Sequence, residues 1–305
     1  MAPMDVFLIG HLVVDVIVAE GSMRRKMGGT VAYGSFAAMK HRARPHIVSK
    51  IGLDFPDEYL MSLSRSGVDI SHIQVSRSMP TTKFKHVYER DERISYLLTR
   101  CEDILLGDIP LEKIRGSAVI IGALIGEIPP DAVQEIAERA ALTVSDLQGY
   151  VRRIDEKRRV KLVSTPEARL IIPLSDITHA EVSEARVLYG DAEPPKLAEK
   201  LVKDGAGMSL VTMGSGGAYV ATSQRVYYVP AAKSSEVIDR TGAGDVFTTV
   251  FAIEYMNSGD VKEAAAYAAA AVSFLIEKPG FNGLRDRWEL RGRAEQVLAN
   301  VKEVV

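Results

Sequence analysis

The segment with the clearest chemical potential is acidic at both ends and rich in glycine between them. Residues 239–245 read DRTGAGD and lead into an apolar pattern of helical spacing. Gly242 and Gly244 let the backbone turn tightly, and the first N–H groups of a helix bind anions because they have no partner within the helix. Asp245 falls in that first turn, where a carboxylate beside an anion suits a base better than a ligand. The spacing therefore predicts phosphoryl transfer to a hydroxyl that Asp245 deprotonates.

Two further segments contain residues suited to small ligands. Residues 10–15 read GHLVVD and end on Asp15, whose carboxylate can accept hydrogen bonds from neighbouring hydroxyl groups. Gly28 and Gly29 then open a small-residue helix, and residues 211–217 read VTMGSGG after a predicted strand. Each segment alone is equally typical of a solvent-facing strand residue or an ordinary loop.

In chain order, the segments at 10–29, 211–217 and 239–245 resemble the signatures of the ribokinase (PfkB) family of carbohydrate kinases. The resemblance covers nearly the whole chain, and its strongest motifs lie at 10–29 and 211–245. It implies an α/β fold, a ribokinase-like three-layer sandwich with a mostly parallel central sheet and a small β lid. It also implies a single kinase domain over residues 1–305, with lid strands within 12–20 and 80–100.

The resemblance also implies which residues act in catalysis and acceptor binding. Asp245 is implied to be the base, and the backbone amides that stabilise the transferred phosphoryl group are those of Gly242, Ala243 and Gly244. The residues implied to hold the acceptor are Asp15, Gly28, Gly29, Thr30, Gln148, Arg152 and Asp245.

The resemblance implies ATP and Mg²⁺ as cofactors, and it leaves open whether K⁺ is also required. The residues matching the family's ATP site are Glu184, Thr212, Gly214, Gly217, Thr241, Gly242 and Gly244. Glu184 matches the acid of the family's Asn-x-x-Glu motif at the magnesium and phosphate region, and Asp239 matches a monovalent-cation site. Glu181 stands where that motif has Asn, so metal handling is expected to differ or the alignment to shift.

The acceptor is predicted from a looser likeness. Residues 146–152 read DLQGYVR after a predicted strand and look like the corresponding segment of inositol kinases, and TTKF at 81–84 is similar to that group. Polar groups there would face the ligand crevice at the end of a parallel strand. Tyr33 replaces a sugar-contacting Asn and argues against a plain ribokinase pocket. Myo-inositol is the leading single acceptor, although a solvated Arg152–Arg153 pair at a helix start explains these arginines equally well.

Alternatives to a polyol kinase remain open. A nucleoside kinase of the same fold would need an apolar or aromatic base pocket, for which Phe7, Tyr33 and Phe84 are candidates. A non-catalytic ligand-binding relative is disfavoured by the intact Asp245 and its glycines. A Rossmann oxidoreductase is disfavoured because no GxGxxG follows the first strand, and no GxxxxGK[ST] sequence of a P-loop is present.

Short apolar runs alternate with helical patterns, which predicts a largely parallel sheet. The predicted strands are 6–9, 13–18, 46–51, 118–125, 142–146, 186–189 and 208–212, and the predicted helices are 29–40, 55–66, 130–141, 195–203, 243–256 and 260–276. Residues 82–100 show two alternating segments around a polar turn, a hairpin pattern. This hairpin is predicted either as a lid or as an antiparallel edge of the main sheet.

Composition limits the class of protein. The 305 residues include 38 Lys and Arg against 40 Asp and Glu, a net charge of −2, which argues against a globally basic nucleic-acid binder. Cys101 is the only cysteine, so neither an internal disulfide nor a cysteine zinc site can form. The N-terminus is a poor signal peptide and no long apolar run predicts a membrane span. We expect a cytoplasmic protein with a small-molecule substrate and, because a lid edge needs covering, a homodimer through the lid.

Overall fold

The computed structural model describes residues 3–19, 22–89 and 92–304. The strands there are β1 (Asp5–Ile9), β2 (Val13–Ala19), β3 (Ser22–Gly28), β4 (Arg44–Gly52), β5 (Asp69–Ser76), β6 (Lys83–Glu89), β7 (Glu92–Thr99), β8 (Ala118–Ile121), β9 (Leu142–Asp146), β10 (Arg152–Ile154), β11 (Val160–Leu162), β12 (Ile177–Glu181), β13 (Met208–Thr212), β14 (Ala218–Ala221), β15 (Val226–Val229) and β16 (Lys302–Glu303). The α-helices are α1 (Thr30–Lys40), α2 (Asp57–Arg65), α3 (Pro130–Ala137), α4 (Pro166–Ile171), α5 (Val182–Tyr189), α6 (Pro194–Lys203), α7 (Ala243–Ser258), α8 (Val261–Leu275) and α9 (Arg287–Leu298).

The main sheet is mostly parallel, with helices on both faces. Its strand order in the described chain is β16-β15-β14-β13-β12-β9-β8-β1-β4-β5, and every pair from β13 to β5 is parallel. Side chains alternate between the faces of a strand. In β1, Val6 and Leu8 pack with α1, α7 and α8, whereas Phe7 and Ile9 pack with α3, α4 and α6. This two-sided burial explains the nearly continuous apolar runs of the central strands and confirms the predicted fold class.

A separate four-stranded sheet forms the lid, in the order β3-β2-β6-β7. The β6–β7 hairpin predicted within 82–100 therefore lies off the main sheet, and the alternative of a main-sheet edge is wrong; its tip at residues 90 and 91 lies outside the described residues. The β10–β11 hairpin continues the lid, because the Leu97 N–H donates to the Arg158 carbonyl at 2.9 Å. Since β10 follows β9 in the chain, the lid is joined to the carboxyl end of a central strand of the main sheet.

Two predicted strands need correction, and one lid strand was not predicted. The strand predicted at 186–189 is the end of α5, and the strand lies earlier, at Ile177–Glu181. Glu181 caps α5 and Glu184 completes a capping box, so the helix begins before the apolar residues that suggested a strand. The strand predicted at 118–125 ends at Ile121, because the next residue, Gly122, packs directly against the side chain of Thr30. Strand β3 was not predicted, since its charged sequence suits only an exposed edge.

The carboxyl ends of three parallel strands meet the start of α7 at one edge of the sheet. Asp146 ends β9, Glu181 ends β12 and Thr212 ends β13. In open α/β sheets this edge is where ligands bind. No helix in the described ranges has the length and hydropathy that crossing a membrane requires.

Candidate active site

A cleft of about 1040 Å³ lies at this edge, between the main sheet and the lid. The residues predicted for the site that line it are Gln148, Arg152, Glu184, Thr212, Gly214, Gly217, Thr241, Gly242, Ala243, Gly244 and Asp245. The lid contributes Arg93 and Ser95 from β7, and apolar side chains of α8 form the wall beside residues 240–244, the anion loop. The structure therefore brings most of the predicted residues into one cavity.

The anion loop depends on the conformation of Gly242. This residue caps α7 with φ 79°, in the left-handed region that favours glycine. A Cβ at this position would lie 2.1 Å from Cδ1 of the buried Tyr33 ring, so a side chain has no room. Tyr33, which sequence alone linked to the acceptor pocket, instead supports the loop from below.

Asp245 lies in the first turn of α7 and accepts a 2.6 Å hydrogen bond from the Thr30 hydroxyl. Desolvation and the nearby charge of Asp146 raise the pKa of Asp245 to about 6, although Thr30, His179 and Arg152 oppose that rise. A carboxylate with this pKa is ionised at neutral pH and still basic enough to take a proton. The site thus places a carboxylate suited to act as a base in the first turn of α7.

A chain of polar residues runs behind the anion loop, and two of its members, Asp146 and His179, were absent from the predicted site. His179 Nδ1 lies 2.9 Å from Asp146 Oδ2, and His179 Nε2 lies 3.1 Å from Thr212 Oγ1. Burial opposes the charged forms, but the two partners hold the pKa of Asp146 below and that of His179 above their ordinary values. The one local signal was that Asp146 ends a predicted strand, whereas His179 lies in the middle of β12, a strand that the sequence did not predict.

Arg152 and Glu184 form a second polar group in the lining of the same cleft. The Arg152 guanidinium donates to Gln148 Oε1 and lies 3.9 Å from Glu184 Oε1. Burial and the charge of Asp146 raise the pKa of Glu184 to about 7, while Arg152 offsets part of this effect. Arg152 is therefore not one of a solvated pair at a helix start: it lies in β10, and Arg153 separately pairs with Glu167 at 2.9 Å.

The N-terminal residues predicted for acceptor binding lie beside this cleft rather than in its lining. Asp15 is 5% exposed, and the nearest ring nitrogen of His86 is 3.3 Å from its carboxylate. A Cβ on Gly28 would lie 2.1 Å from Asp15 Oδ2, and Gly29 has φ 95°. Thr30, the next residue, connects this region to the cleft through Asp245.

Asp239, the residue matched to a monovalent-cation site, has both carboxylate oxygens engaged by N–H donors. Oδ1 accepts from the Thr241 N–H at 3.0 Å, and Oδ2 accepts from Lys26 Nζ at 2.9 Å and the Gly280 N–H at 3.3 Å. Burial alone would raise its pKa, but the bonds from Thr241 and Lys26 hold the pKa at about 2. A cation bound here would compete with the Lys26 ammonium.

A lidded α/β sheet, an anion loop and an adjacent base define a phosphotransferase with an alcohol group as acceptor. The sequence matches the model of the pfkB family carbohydrate kinases over residues 4–286, and the chain belongs to that family. Family and fold together make it a ribokinase-family sugar or nucleoside kinase, so the alternative of a non-catalytic relative is not supported.

Individual relatives differ in the substrates that their names state. The cytidine kinase of Thermococcus kodakarensis is 26% identical, over 91% of this chain and 98% of that protein. The nucleoside kinase of Methanothermobacter thermautotrophicus is also 26% identical, over 90% of each. A pyrophosphate-dependent kinase of the ribokinase family, solved with a pyrophosphate analog and myo-inositol, aligns with TM-score 0.82 at 24% identity, over 94% of this chain and 99% of that one. The Arabidopsis thaliana ribokinase, solved with ribose and ATP, aligns with TM-score 0.78 at 21% identity, over 97% and 99%.

Proposed function

We propose that the protein is an ATP-dependent kinase that phosphorylates a hydroxyl of a small polyol or sugar, with myo-inositol as the leading acceptor. The main observation in support is that Asp245, a carboxyl group whose pKa is about 6, lies at the start of α7 in the same cleft as Gln148 and Arg152. An amide and a guanidinium beside a base suit an acceptor rich in hydroxyl groups.

In the proposed reaction, the acceptor hydroxyl oxygen attacks the γ-phosphorus of ATP. The bond from that phosphorus to the bridging oxygen breaks, ADP leaves, and the hydroxyl proton passes to Asp245. The amides of Gly242, Ala243 and Gly244 lie at the start of α7 and are proposed to donate to the charge on the transferred group. The Ala243 N–H donates to the Arg240 carbonyl at 3.3 Å in the structure, so it must turn from that carbonyl to take part.

The shape of the donor side supports a nucleotide. Val237, Ala269, Val272 and Ile276 form an apolar part of the cleft wall, as a purine base requires. The loop from Gly214 to Gly217 lies in the same lining. Inorganic pyrophosphate has no apolar group that would contact this wall. We therefore propose ATP as the phosphoryl donor, with pyrophosphate as the alternative to test.

The carboxylates of Glu184 and Glu181 suit the Mg²⁺ that we propose accompanies ATP. Both line the cleft, and oxygen ligands are those Mg²⁺ prefers. The described residues contain no group of three or more acidic, His or Cys side chains placed to hold a metal. Mg²⁺ commonly needs only one or two carboxylates, with phosphates and water completing its shell. When bound, Mg²⁺ neutralises phosphate charge.

The placement of the aromatic residues favours a polyol over a nucleoside. Phe7 stacks on His46 with ring centroids 4.5 Å apart, and Tyr33 and Phe84 are 1% and 3% exposed. None of the three lines the cleft, which supports a polyol as the acceptor. A nucleoside acceptor is the second candidate because two relatives at 26% identity are named for nucleoside substrates.

We also propose a cytoplasmic homodimer that pairs through the lid. Strand β3 is the outer strand of the lid, and Met23 on it is 66% exposed. An unpaired strand edge is a template for another strand. Light scattering should give the mass of two chains; the mass of one chain would end this part of the proposal.

The deciding experiment measures ADP release with ATP and Mg²⁺ across inositols, hexoses, pentoses and nucleosides. We expect turnover with a polyol, abolished in Asp245→Asn. The same panel with pyrophosphate, monitored by phosphate release, tests the donor. Turnover with nucleosides alone would replace the acceptor proposed here, and turnover unchanged in Asp245→Asn would refute the assigned base.

A further inference from the structure

We propose that Ser95 on lid strand β7 binds one hydroxyl group of the acceptor, and that His86, itself held by Asp15, is the positioning residue for the Ser95 hydroxyl. The inference rests on the proposed function and deepens it, because it names a specificity-determining contact that no sequence motif indicated. It follows from the pairing of the lid strands and from which of the three side chains reaches the cleft.

The three side chains share one face of the lid sheet. His86 and Ser95 are register partners on β6 and β7. Asp15 on β2 is the register partner of Phe84, which lies two residues before His86 and therefore points to the same face. His86 Nδ1 lies 2.8 Å from Ser95 Oγ, and His86 Nε2 lies 3.3 Å from Asp15 Oδ1. The imidazole is thus held at both of its nitrogens.

Of these three residues, only Ser95 belongs to the lining of the cleft. The side chains of His86 and Asp15 are 13% and 6% exposed. In the part of the chain that the structure describes, His86 is the only hydrogen-bond partner of Ser95 Oγ. A hydroxyl group can donate one hydrogen bond and accept two. Whichever of His86 Nδ1 and Ser95 Oγ donates to the other, Ser95 therefore keeps a bonding position for a hydroxyl group in the cleft.

The neighbours of β7 place Ser95 on the acceptor side of the cleft. Tyr96, the next residue, forms an isolated bridge to Arg159, just before β11. The paired strand β10 begins at Arg152, whose guanidinium donates to Gln148 Oε1. Ser95 thus lies on the strand that joins the β10–β11 hairpin, next to the two side chains that we propose for acceptor binding. The apolar wall proposed for the nucleotide comes from other elements, chiefly α8.

His86 keeps the Ser95 side chain in one orientation. A carboxylate oxygen has no proton to donate, so Asp15 accepts from His86 Nε2 and fixes the ring within the lid. A serine side chain otherwise changes between staggered rotamers, and the contact with Nδ1 selects one of them. Because a hydrogen bond depends on distance and angle, a hydroxyl held in this way binds one position of a polyol and not its neighbours. The lid would therefore distinguish polyols that differ at a single hydroxyl group.

Monodeoxy analogues of the acceptor identify the contact. With ATP and Mg²⁺, kcat/KM for myo-inositol should fall about fivefold in Ser95→Ala, the usual effect of losing one hydrogen bond, while the KM for ATP stays unchanged. One monodeoxy analogue of myo-inositol should give equal kcat/KM in wild type and Ser95→Ala, because it lacks the hydroxyl group that Ser95 binds. Ser95→Thr keeps a hydroxyl group and should restore kcat/KM for myo-inositol. If the panel identifies another acceptor, its own monodeoxy analogues are used.

His86→Gln separates positioning from a purely structural role. Its amide reaches towards the place of Nε2 and keeps a donor to Asp15, so the buried carboxylate stays paired while Ser95 loses its partner. The fall in kcat/KM should match that of Ser95→Ala and disappear with the same analogue. His86→Gln/Ser95→Ala should be no slower than either single variant, since the two residues act through one contact.

Thermal melting of each variant confirms that it is folded, and the Ser95→Ala comparison stands even if His86→Gln unfolds. Equal losses with every analogue, additive losses in the double variant, or a raised KM for ATP in Ser95→Ala would overturn the inference and leave the kinase proposal intact. A wild-type protein without turnover on any acceptor of the panel would refute both.

Discussion

The Lys26 ammonium on lid strand β3 lies 2.9 Å from a carboxylate oxygen of Asp239, just before the anion loop. Both side chains are about one-fifth exposed, at 22% and 20%. Lys26 is also the register partner of Asp15 across β2 and β3, so the two side chains share one face of the lid sheet. This ion pair links the lid to the loop that begins α7, and it places a cation from the protein itself at Asp239.

This pair predicts how the enzyme responds to monovalent cations. Because the ammonium already neutralises Asp239, we expect equal rates in K⁺ and in tetramethylammonium. Lys26→Met should lower the rate and create a requirement for K⁺, whereas Lys26→Arg should keep the wild-type behaviour. A wild-type enzyme that is strongly activated by K⁺ would show that the ion pair does not replace the cation.

Replacement of the base should separate activity from stability. Asp245→Asn is nearly isosteric and still accepts from Thr30, so the fold should persist while turnover falls by roughly 10²-fold or more. Since desolvation raises the pKa of Asp245 to about 6, its ionised form is unfavourable in the folded protein, and the melting temperature at pH 8 should rise. Steady-state kinetics and thermal melting of the same preparation check both. A lower melting temperature together with lost activity would point to misfolding instead.

The pH profile should show one acidic limb from Asp245. Its folded pKa is raised to about 6, so the base is ionised above that pH and protonated below it, and activity should be lost as pH falls through about 6. The Thr30 hydrogen bond lowers this pKa. Thr30→Val should therefore move the limb of kcat/KM to higher pH. A limb at the same pH in both proteins would mean that another group controls it.

Gly28 is predicted to control the acceptor side through Asp15. A Cβ at Gly28 would lie 2.1 Å from Asp15 Oδ2, so Gly28→Ala must displace that carboxylate. The KM for the acceptor should rise about tenfold or more, with the KM for ATP little changed. Gly292→Ala is the matched control, because a Cβ there meets nothing within 4 Å and alanine is favoured inside a helix such as α9. Unchanged acceptor KM in Gly28→Ala would remove Asp15 from acceptor binding.

The sequence predicted those structural features that depend on residues within a single short segment. The glycine turn before α7 and the place of Asp245 in its first turn follow from Gly242, Gly244 and Asp245, since turn geometry and helix starts are set within a few residues. The alternation of apolar strands with helices indicated the parallel sheet, because side-chain periodicity reflects burial. Family membership was likewise visible in the order of the short motifs.

The contacts between distant segments became visible only in the folded chain. Asp146 and His179 face each other because β9 and β12 are paired in that register. Lys26 of the lid contacts Asp239, which lies 213 residues later in the sequence. Such pairs produce no periodic pattern in the sequence, because each residue is paired with one that is distant in the chain and close only in the folded protein. Tyr33 shows the same limit: its position suggested an acceptor contact, and packing against Gly242 made it the support of the anion loop. Chemistry carried by one loop can be predicted from its residues, whereas charge pairing and side-chain support depend on which strands and helices become neighbours.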